Sequence, residues 1–282
     1  MPVAENSRVA VYLDFDNIVI SRYDHVFGTG TWRRDDARDH TAHEQSKDEI
    51  DRNLATARVD VGAILDYASS FGTVAQSRAY ADWSVPANTS YRRQLVDRAV
   101  DLVQLFALGG TKNGADIRLS VDVMEDLIRY PDLTHVVLVA GDSDYVALAQ
   151  RCKQLGRFVV GIGVAGSTGR ALIAACDEFS DYDALPDVKP VSRKAAKQAD
   201  APTDPNDDAG ALLVRALRIV AEKSDDEGWA HLSSVKQQMV RMDPGFKEKS
   251  LGFSSFRAFA DSFPKKVELQ QSGQAVRARV KG

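Results

Sequence analysis

Residues 9–14, VAVYLD, are apolar at every position until the last, which is an acid. A strand with one wet face alternates polar and apolar side chains. A run this short and this uniformly apolar is covered on both faces, the condition of a parallel sheet layered between helices. The pattern returns at VVLVA (136–140) and FVVGIG (158–163). Between these runs apolar residues fall at helical spacing, as in Val61, Ile64, Leu65 and Ala68. The spacing predicts helices over 59–70, 91–99 and 115–129, one ending near 155 and one over 167–176, with further strands over 74–80 and 101–106. Strands alternating with helices define a doubly wound α/β fold, whose ligands bind beyond the carboxyl ends of the strands where the strand order reverses. The polar stretch from about 22 to 55 is too long for an ordinary connection and reads as an insertion.

This fold accounts for only part of the 282 residues, a length that favours two cores. Composition breaks at 186–210, where Pro186, Pro190, Pro202 and Pro205 interrupt a stretch poor in apolar residues. That stretch is expected to be a linker between a domain over 1–185 and a small module over 211–282. Helical patterns from Ala211, at 231–242 and at 253–263 precede a strand pair near 267–269 and 275–280, the order of a winged helix. Phe253, Phe256, Phe259 and Phe263 recur at helical spacing and are expected in the core of the module. Charge separates the two parts, with a net −8 over 1–185 and +5 over 211–282. An acidic domain joined to a basic one suggests a metal site in the first and an anionic partner for the second. Cys152 and Cys176, without a CxxC pair, suit a reducing compartment. The opening residues MPVAENSR do not read as a signal peptide, and no apolar run approaches the ~20 residues of a membrane span. A cytoplasmic protein with no membrane partner is expected.

Four acids fall where such a fold converges: Asp14 at the end of the first strand, Asp116 at a helix start, and Asp142 and Asp144 just past VVLVA. Carboxylates this close raise one another's pKa, a cost relieved by a divalent cation, and hard oxygen ligands suit Mg2+ or Mn2+. Such a site activates water and offsets the charge that develops in phosphodiester cleavage. Taken singly, Asp142 and Asp144 serve equally as helix caps, and Asp14 and Asp16 as turn formers. Gly141 admits a tight turn, while Gly161 and Gly163 leave room for substrate backbone or satisfy turn geometry. Ser167 reads as a helix cap or as a phosphate contact at a helix N-terminus. His40 and His43 form an HxxH without a third ligand and read as surface residues.

LDFDNIVIS (13–21), TKNGADIRLSVDVMEDL (111–127) and VVLVAGDSDYVALAQRCKQLGRFVVGIG (136–163) occur in this order, and together they resemble the NYN domain. The resemblance covers about residues 8–185 apart from the insertion. It implies a PIN-like fold around metal-coordinating aspartates and, in active members, cleavage of RNA. On that basis Asp14, Asp116, Asp142 and Asp144 are the catalytic metal site, and Asn17 is an orienting or ligand-binding neighbour. Asp122 matches the family's second acid on the helix after the lysine-glycine segment. Six residues beyond Asp116 it is turned about 240° round the helix, so it is expected to act only from the flank. Lys112 is the corresponding phosphate-contact candidate, although Asn113 separates it from Gly114 where the family has Lys directly followed by Gly.

The C-terminal segment, with GFSSFRAF (252–259) as its recognisable part, is similar to the LOTUS or OST-HTH domain. That resemblance implies a winged helix that binds RNA in several proteins and protein partners in some, and that recurs alongside NYN domains. Lys236, Arg241, Lys247, Lys249 and Arg257 are its candidates for phosphate contact. The main reading is an RNA endonuclease whose acidic site cuts and whose basic module recruits. One alternative is a catalytically silent RNA-binding adaptor. Another is a phosphatase of the haloacid dehalogenase type, suggested by Asp14-Phe15-Asp16. Against it, Asn17-Ile18 stand where that family carries Gly-Thr.

Overall fold

The computed structural model describes residues 7–106, 114–185, 188, 205–222, 228–243, 245–272 and 275–281. They belong to two compact units, divided at about residue 196.

In the first unit β1 (Arg8–Asp14) is buried on both faces, with Val9, Val11 and Leu13 on one side and Ala10 and Tyr12 on the other. Its final acid caps α1 (Phe15–Phe27) by accepting from the Asn17 amide. Two short helices, α2 (Thr31–Arg34) and α3 (Glu49–Thr56), precede α4 (Val61–Ser69) and β2 (Thr73–Ala81). Next come α5 (Pro86–Thr89), α6 (Arg92–Asp97) and β3 (Asp101–Gln104). The chain returns through α7 (Gly114–Arg129) to β4 (His135–Val139), through α8 (Val146–Gln154) to β5 (Phe158–Gly163), and through α9 (Arg170–Ala175) to β6 (Glu178–Asp181). All six strands are parallel, in the order β3-β2-β1-β4-β5-β6. The order reverses between β1 and β4, which sets Asp14 beside the residues that follow Val139.

Both faces are covered. Ile18 of α1, Ile64 of α4 and Leu95 of α6 close one layer over Val11, Leu13 and Val137. Leu119 and Val123 of α7, Cys152 of α8 and Leu172 of α9 close the other over Tyr12, Val136 and Leu138. Each fully buried Val or Leu contributes about 1.5–3 kcal/mol, so the central strands are the rigid platform on which the carboxyl edge stands.

Local details differ from the sequence expectations. The stretch over 22–55 is a folded insertion: α1 continues to Phe27, and Tyr23, Val26, Ala37, Leu54 and Ala57 pack with Val85 and Ala87 in a small core of their own. Its apolar residues are too widely spaced to register as a periodic pattern. β6 escaped the pattern because it is an edge strand whose ends, Glu178 and Asp181, are only half-buried. The helix expected over 167–176 is shorter: Gly169 stands at its N-cap, and the Ser167 amide donates to Val164 O in the preceding turn. Ser167 is therefore not the cap.

The second unit opens with α10 (Pro205–Glu222), six residues inside the expected linker. Proline suits a first helical turn, because its missing N–H falls among amides that have no intrahelical partner there. β7 (Ala230–His231), α11 (Leu232–Met242), α12 (Phe256–Asp261), β8 (Val267–Ser272) and β9 (Ala275–Val280) complete an antiparallel β7-β9-β8 wing on three helices. Phe256 and Phe259 are buried, with Phe253 and Phe263 packed against them, as core residues. Ser255 caps α12 by accepting from the Ala258 amide at 3.1 Å. Among the described residues no helix is long and apolar enough to cross a membrane.

Candidate metal centre

The carboxyl edge of β1 and β4 gathers the predicted acids from three separate elements. Asp14 ends β1, Asp116 lies in the first turn of α7, and Asp142 and Asp144 belong to the turn after β4. Asp116, Asp142 and Asp144 each bring a carboxylate oxygen within 4.8 Å of the others. Asp142 caps the single 3-10 turn Ser143–Tyr145 by accepting from the Asp144 amide at 3.1 Å, so a capping role and a place in the cluster coexist.

Asp14 lies behind this trio, 3% exposed. It accepts from the Tyr145 hydroxyl at 2.8 Å and from the Asn17 amide at 3.2 Å. Burial pushes its pKa up to about 7, opposed by those two hydrogen bonds and aided by repulsion from Asp116 and Asp16. Asp116 is raised too, first by burial and then by Asp142 and Asp144, while a hydrogen bond from Tyr145 opposes the shift. The Tyr145 hydroxyl thus joins both carboxylates, and burial together with those two anions holds its proton tightly. One hydroxyl proton serves one of two anions well, so the cluster retains unbalanced negative charge.

Asn17 Oδ1 accepts from the Gly141 amide at 2.8 Å and pins the turn after β4 to the start of α1. Asp16, by contrast, is turned to α5: it accepts from Asn88 Nδ2 and from the Asp82 amide, which is a structural use. Gly161 and Gly163 do not open a path for substrate. A methyl group at Gly161 would meet the Phe179 ring at 2.7 Å, and one at Gly163 would meet Thr168 Oγ1 at 2.1 Å.

Asp122 does not join the trio. It lies against the sheet, accepting from the Tyr80 hydroxyl at 3.1 Å and from Arg118 Nε at 3.0 Å. His40 and His43 do not converge either. His40 Nδ1 lies 3.2 Å from Asp51 and 3.8 Å from Asp48, while the His43 amide donates to Asp51 O. Asp51 also accepts from Ser46 Oγ at 2.7 Å and the Thr41 amide at 3.3 Å. These bonds, that from Ser46 first, hold its pKa below the usual carboxylate range and close the insertion loop.

Among the basic candidates, Lys236 is committed to Glu248 at 2.6 Å and lies 5.8 Å from the Phe256 ring centroid, a stabilising pair within the module. Arg257 donates to Gln271 at 3.3 Å. Lys249 is exposed and Lys247 half-buried in the turn after Phe246. Arg241 lies on α11, its side chain outside the described atoms, and Lys112 lies outside the described residues. Sequence reasoning missed Tyr145, whose one signal was its place directly after GDSD, and Asp126, which carried none.

Comparisons with known proteins assign a family to each part of the chain. Residues 8–183 match the NYN domain, and residues 204–277 match the OST-HTH/LOTUS domain, an RNA-binding module. A crystal structure of a protein of unknown function from Vibrio parahaemolyticus is similar at 20% identity, over 65% of this chain and 98% of that one, with a TM-score of 0.46. No curated protein matches the chain. With most of its length inside the first match, and with the parallel sheet and acidic crevice in place, the chain belongs to the NYN domain family of PIN-like nucleases.

Proposed function

We propose that this protein is a metal-dependent ribonuclease that hydrolyses RNA phosphodiester bonds endonucleolytically, with its C-terminal module holding the RNA. The carrying observation is the set of three carboxylates from α7 and the turn after β4, within 4.8 Å of one another and linked through Tyr145 to buried Asp14. Its all-oxygen donor set fits Mg2+ or Mn2+. Asp116, Asp142 and Asp144 would hold the ion, with Asp14 completing the site from behind. A divalent ion there would lower the pKa of water and offset charge on the scissile phosphate. Asn17 keeps the Asp142 turn in place, and Tyr145 keeps a proton between Asp14 and Asp116.

The domain division that goes with this reading is a nuclease over 1–185 and an RNA-recruiting module that begins at α10. Lys247, Lys249 and Arg257 remain its phosphate contacts, with Ser167 and Lys112 as contacts on the nuclease side. The test is cleavage of a labelled RNA by the purified protein. Activity with Mg2+ or Mn2+ that chelation abolishes and that Asp116→Asn and Asp142→Asn remove is the expected result. RNA binding with no cleavage under any divalent ion would return the protein to the adaptor reading.

A further inference from the structure

The β7-β9-β8 sheet of the second unit has one face on its helices and one turned away from them. Ala230, Val267, Leu269 and Ala278 pack into the helical core. In an antiparallel sheet, residues directly opposite one another share a face, and successive residues alternate between faces. The register therefore arranges the remaining side chains in rows on the outer face: Glu268 faces Arg279, and Gln270 faces Arg277, which also faces His231. One step beyond the Val267–Val280 pair the Lys281 amide donates to Lys266 O at 3.0 Å, so Lys266 and Lys281 stand opposite each other where the two strands end. Trp229, immediately before β7, has its ring centroid 4.7 Å from the Arg279 guanidinium carbon.

Charge and chemistry indicate what these rows meet. Four cations, Lys266, Arg277, Arg279 and Lys281, stand with one acid, Glu268, a net +3 out of the +5 over 211–282. Glu268 is taken by Arg279 at 2.8 Å. The two lysines have neutral partners, which leave their charges in place: Lys281 Nζ donates to Pro264 O at 2.9 Å, and Lys266 Nζ lies 5.7 Å from the Phe263 ring centroid. Both lysines are exposed, as is Lys265 beside them. Like charges opposite one another destabilise a ladder, a cost that an anion lying across them removes. Successive rows are about 7 Å apart, two residues along each strand, close to the repeat of an extended nucleotide chain. Half-buried Trp229, with the Arg279 guanidinium over it, adds what a base stacks on. A protein partner would call for an apolar centre poor in lysine, whereas these rows hold lysines and no aliphatic side chain. Bases already stacked in a duplex cannot use the ring. We propose that the outer face of the β7-β9-β8 sheet is a single-stranded RNA site, with Lys266 and Lys281 on the phosphate backbone and Trp229 with Arg279 under a base. It rests on the reading of this module as the RNA holder and adds to Lys247, Lys249 and Arg257, none of which stands in these rows.

Fluorescence anisotropy of a 5′-labelled, unstructured RNA of about 20 nucleotides tests it, with the intact protein held in chelator so that no RNA is cut. Trp229→Ala should weaken binding about tenfold at every salt concentration and leave the salt slope unchanged. Lys266→Gln with Lys281→Gln should weaken it about tenfold at low salt and make the slope shallower by about 1.4, at roughly 0.7 per phosphate contact. Annealing the complementary strand should abolish the effect of Trp229→Ala. Trp229→Phe keeps a ring and should keep the affinity, while losing the quenching of tryptophan emission that RNA causes in the parent. Because both lysines are exposed, their variant should keep the Tm of the parent, and it decides the matter even where Trp229→Ala unfolds the module. Parent affinity and slope in the lysine variant overturn the proposal and leave the RNA reading intact, as does parent affinity in a folded Trp229→Ala. A parent that binds no RNA removes both and points the module at a protein partner.

Discussion

Asp116 and Asp126 lie on the same helix, ten residues apart, and the protein treats them in opposite ways. Asp126 is 3% exposed and fully provided for: Arg78 donates at 2.6 and 3.3 Å, Gln76 at 2.8 Å and the Tyr12 hydroxyl at 2.9 Å. Asp116 instead faces Asp142 and Asp144 at the carboxyl edge, and its pKa is raised by burial and by their charge. A buried carboxylate given a guanidinium and two neutral donors is architecture. A carboxylate pushed towards other carboxylates costs stability, a cost that the proposed divalent ion would offset.

The contrast is open to attack in order of expected effect. Asp116→Asn should lower RNA cleavage roughly a thousandfold, the several kcal/mol that a held divalent ion supplies, while leaving the urea midpoint of the metal-free protein unchanged or higher. Loss of stability comparable to that of a core variant would make Asp116 structural and dissolve the comparison. Asp126→Asn should do the reverse: unfolding free energy falls by about 3 kcal/mol because Arg78 is left without its anion, while cleavage per folded molecule is kept. Equilibrium unfolding paired with single-turnover cleavage separates the two outcomes.

A smaller effect concerns pH. The folded pKa of Asp14, about 7, lies above its ordinary 3.8, so the folded state binds the extra proton between those values. The metal-free protein should therefore lose stability as pH rises from about 4 to about 7, with no further loss from this group above that window. Asp14→Asn should flatten this part of the curve, and added Mn2+ should restore stability at its upper end. A parent curve that rises through the window would remove the crowded-carboxylate argument.

The smallest effect carries the comparison to the basic module. Lys247→Glu with Lys249→Glu should weaken RNA binding about tenfold and make the salt dependence shallower by about 1.4, at roughly 0.7 per phosphate contact on single strands. Lys236→Glu should lower the thermal stability of the module, because Lys236 is already spent on Glu248. Equal RNA affinity of the Lys247/Lys249 variant and the parent at every salt concentration would point the module at a protein partner.

Much of this was legible along the chain. The β1, β4 and β5 runs announced a sheet covered on both sides, and the four acids stood at strand or helix ends before any fold was known. The helix periods of α4 and α7 were equally plain. Illegible were the segments whose pattern is diluted: the insertion core, where Tyr23, Ala37 and Leu54 meet across long polar stretches, and β6, an edge strand too polar at its ends to show. Asp122 was expected at the flank of the site, and the structure places it with Tyr80 and Arg118 on the sheet side of α7.

Local period and charge were sufficient to determine the fold class, the two-part organisation and the acids at the carboxyl edge, because each depends on residues near one another in the chain. Only the tertiary structure decided which acids share a crevice and which are neutralised. Tyr145 reaches Asp14 across 131 residues and Arg78 reaches Asp126 across 48. Such pairings follow from the strand order β3-β2-β1-β4-β5-β6, which no single segment encodes. The same holds for Lys236, a phosphate contact by composition and an ion-pair partner of Glu248 by geometry. An isolated segment shows what charge a side chain carries, and the packed chain shows what that charge faces.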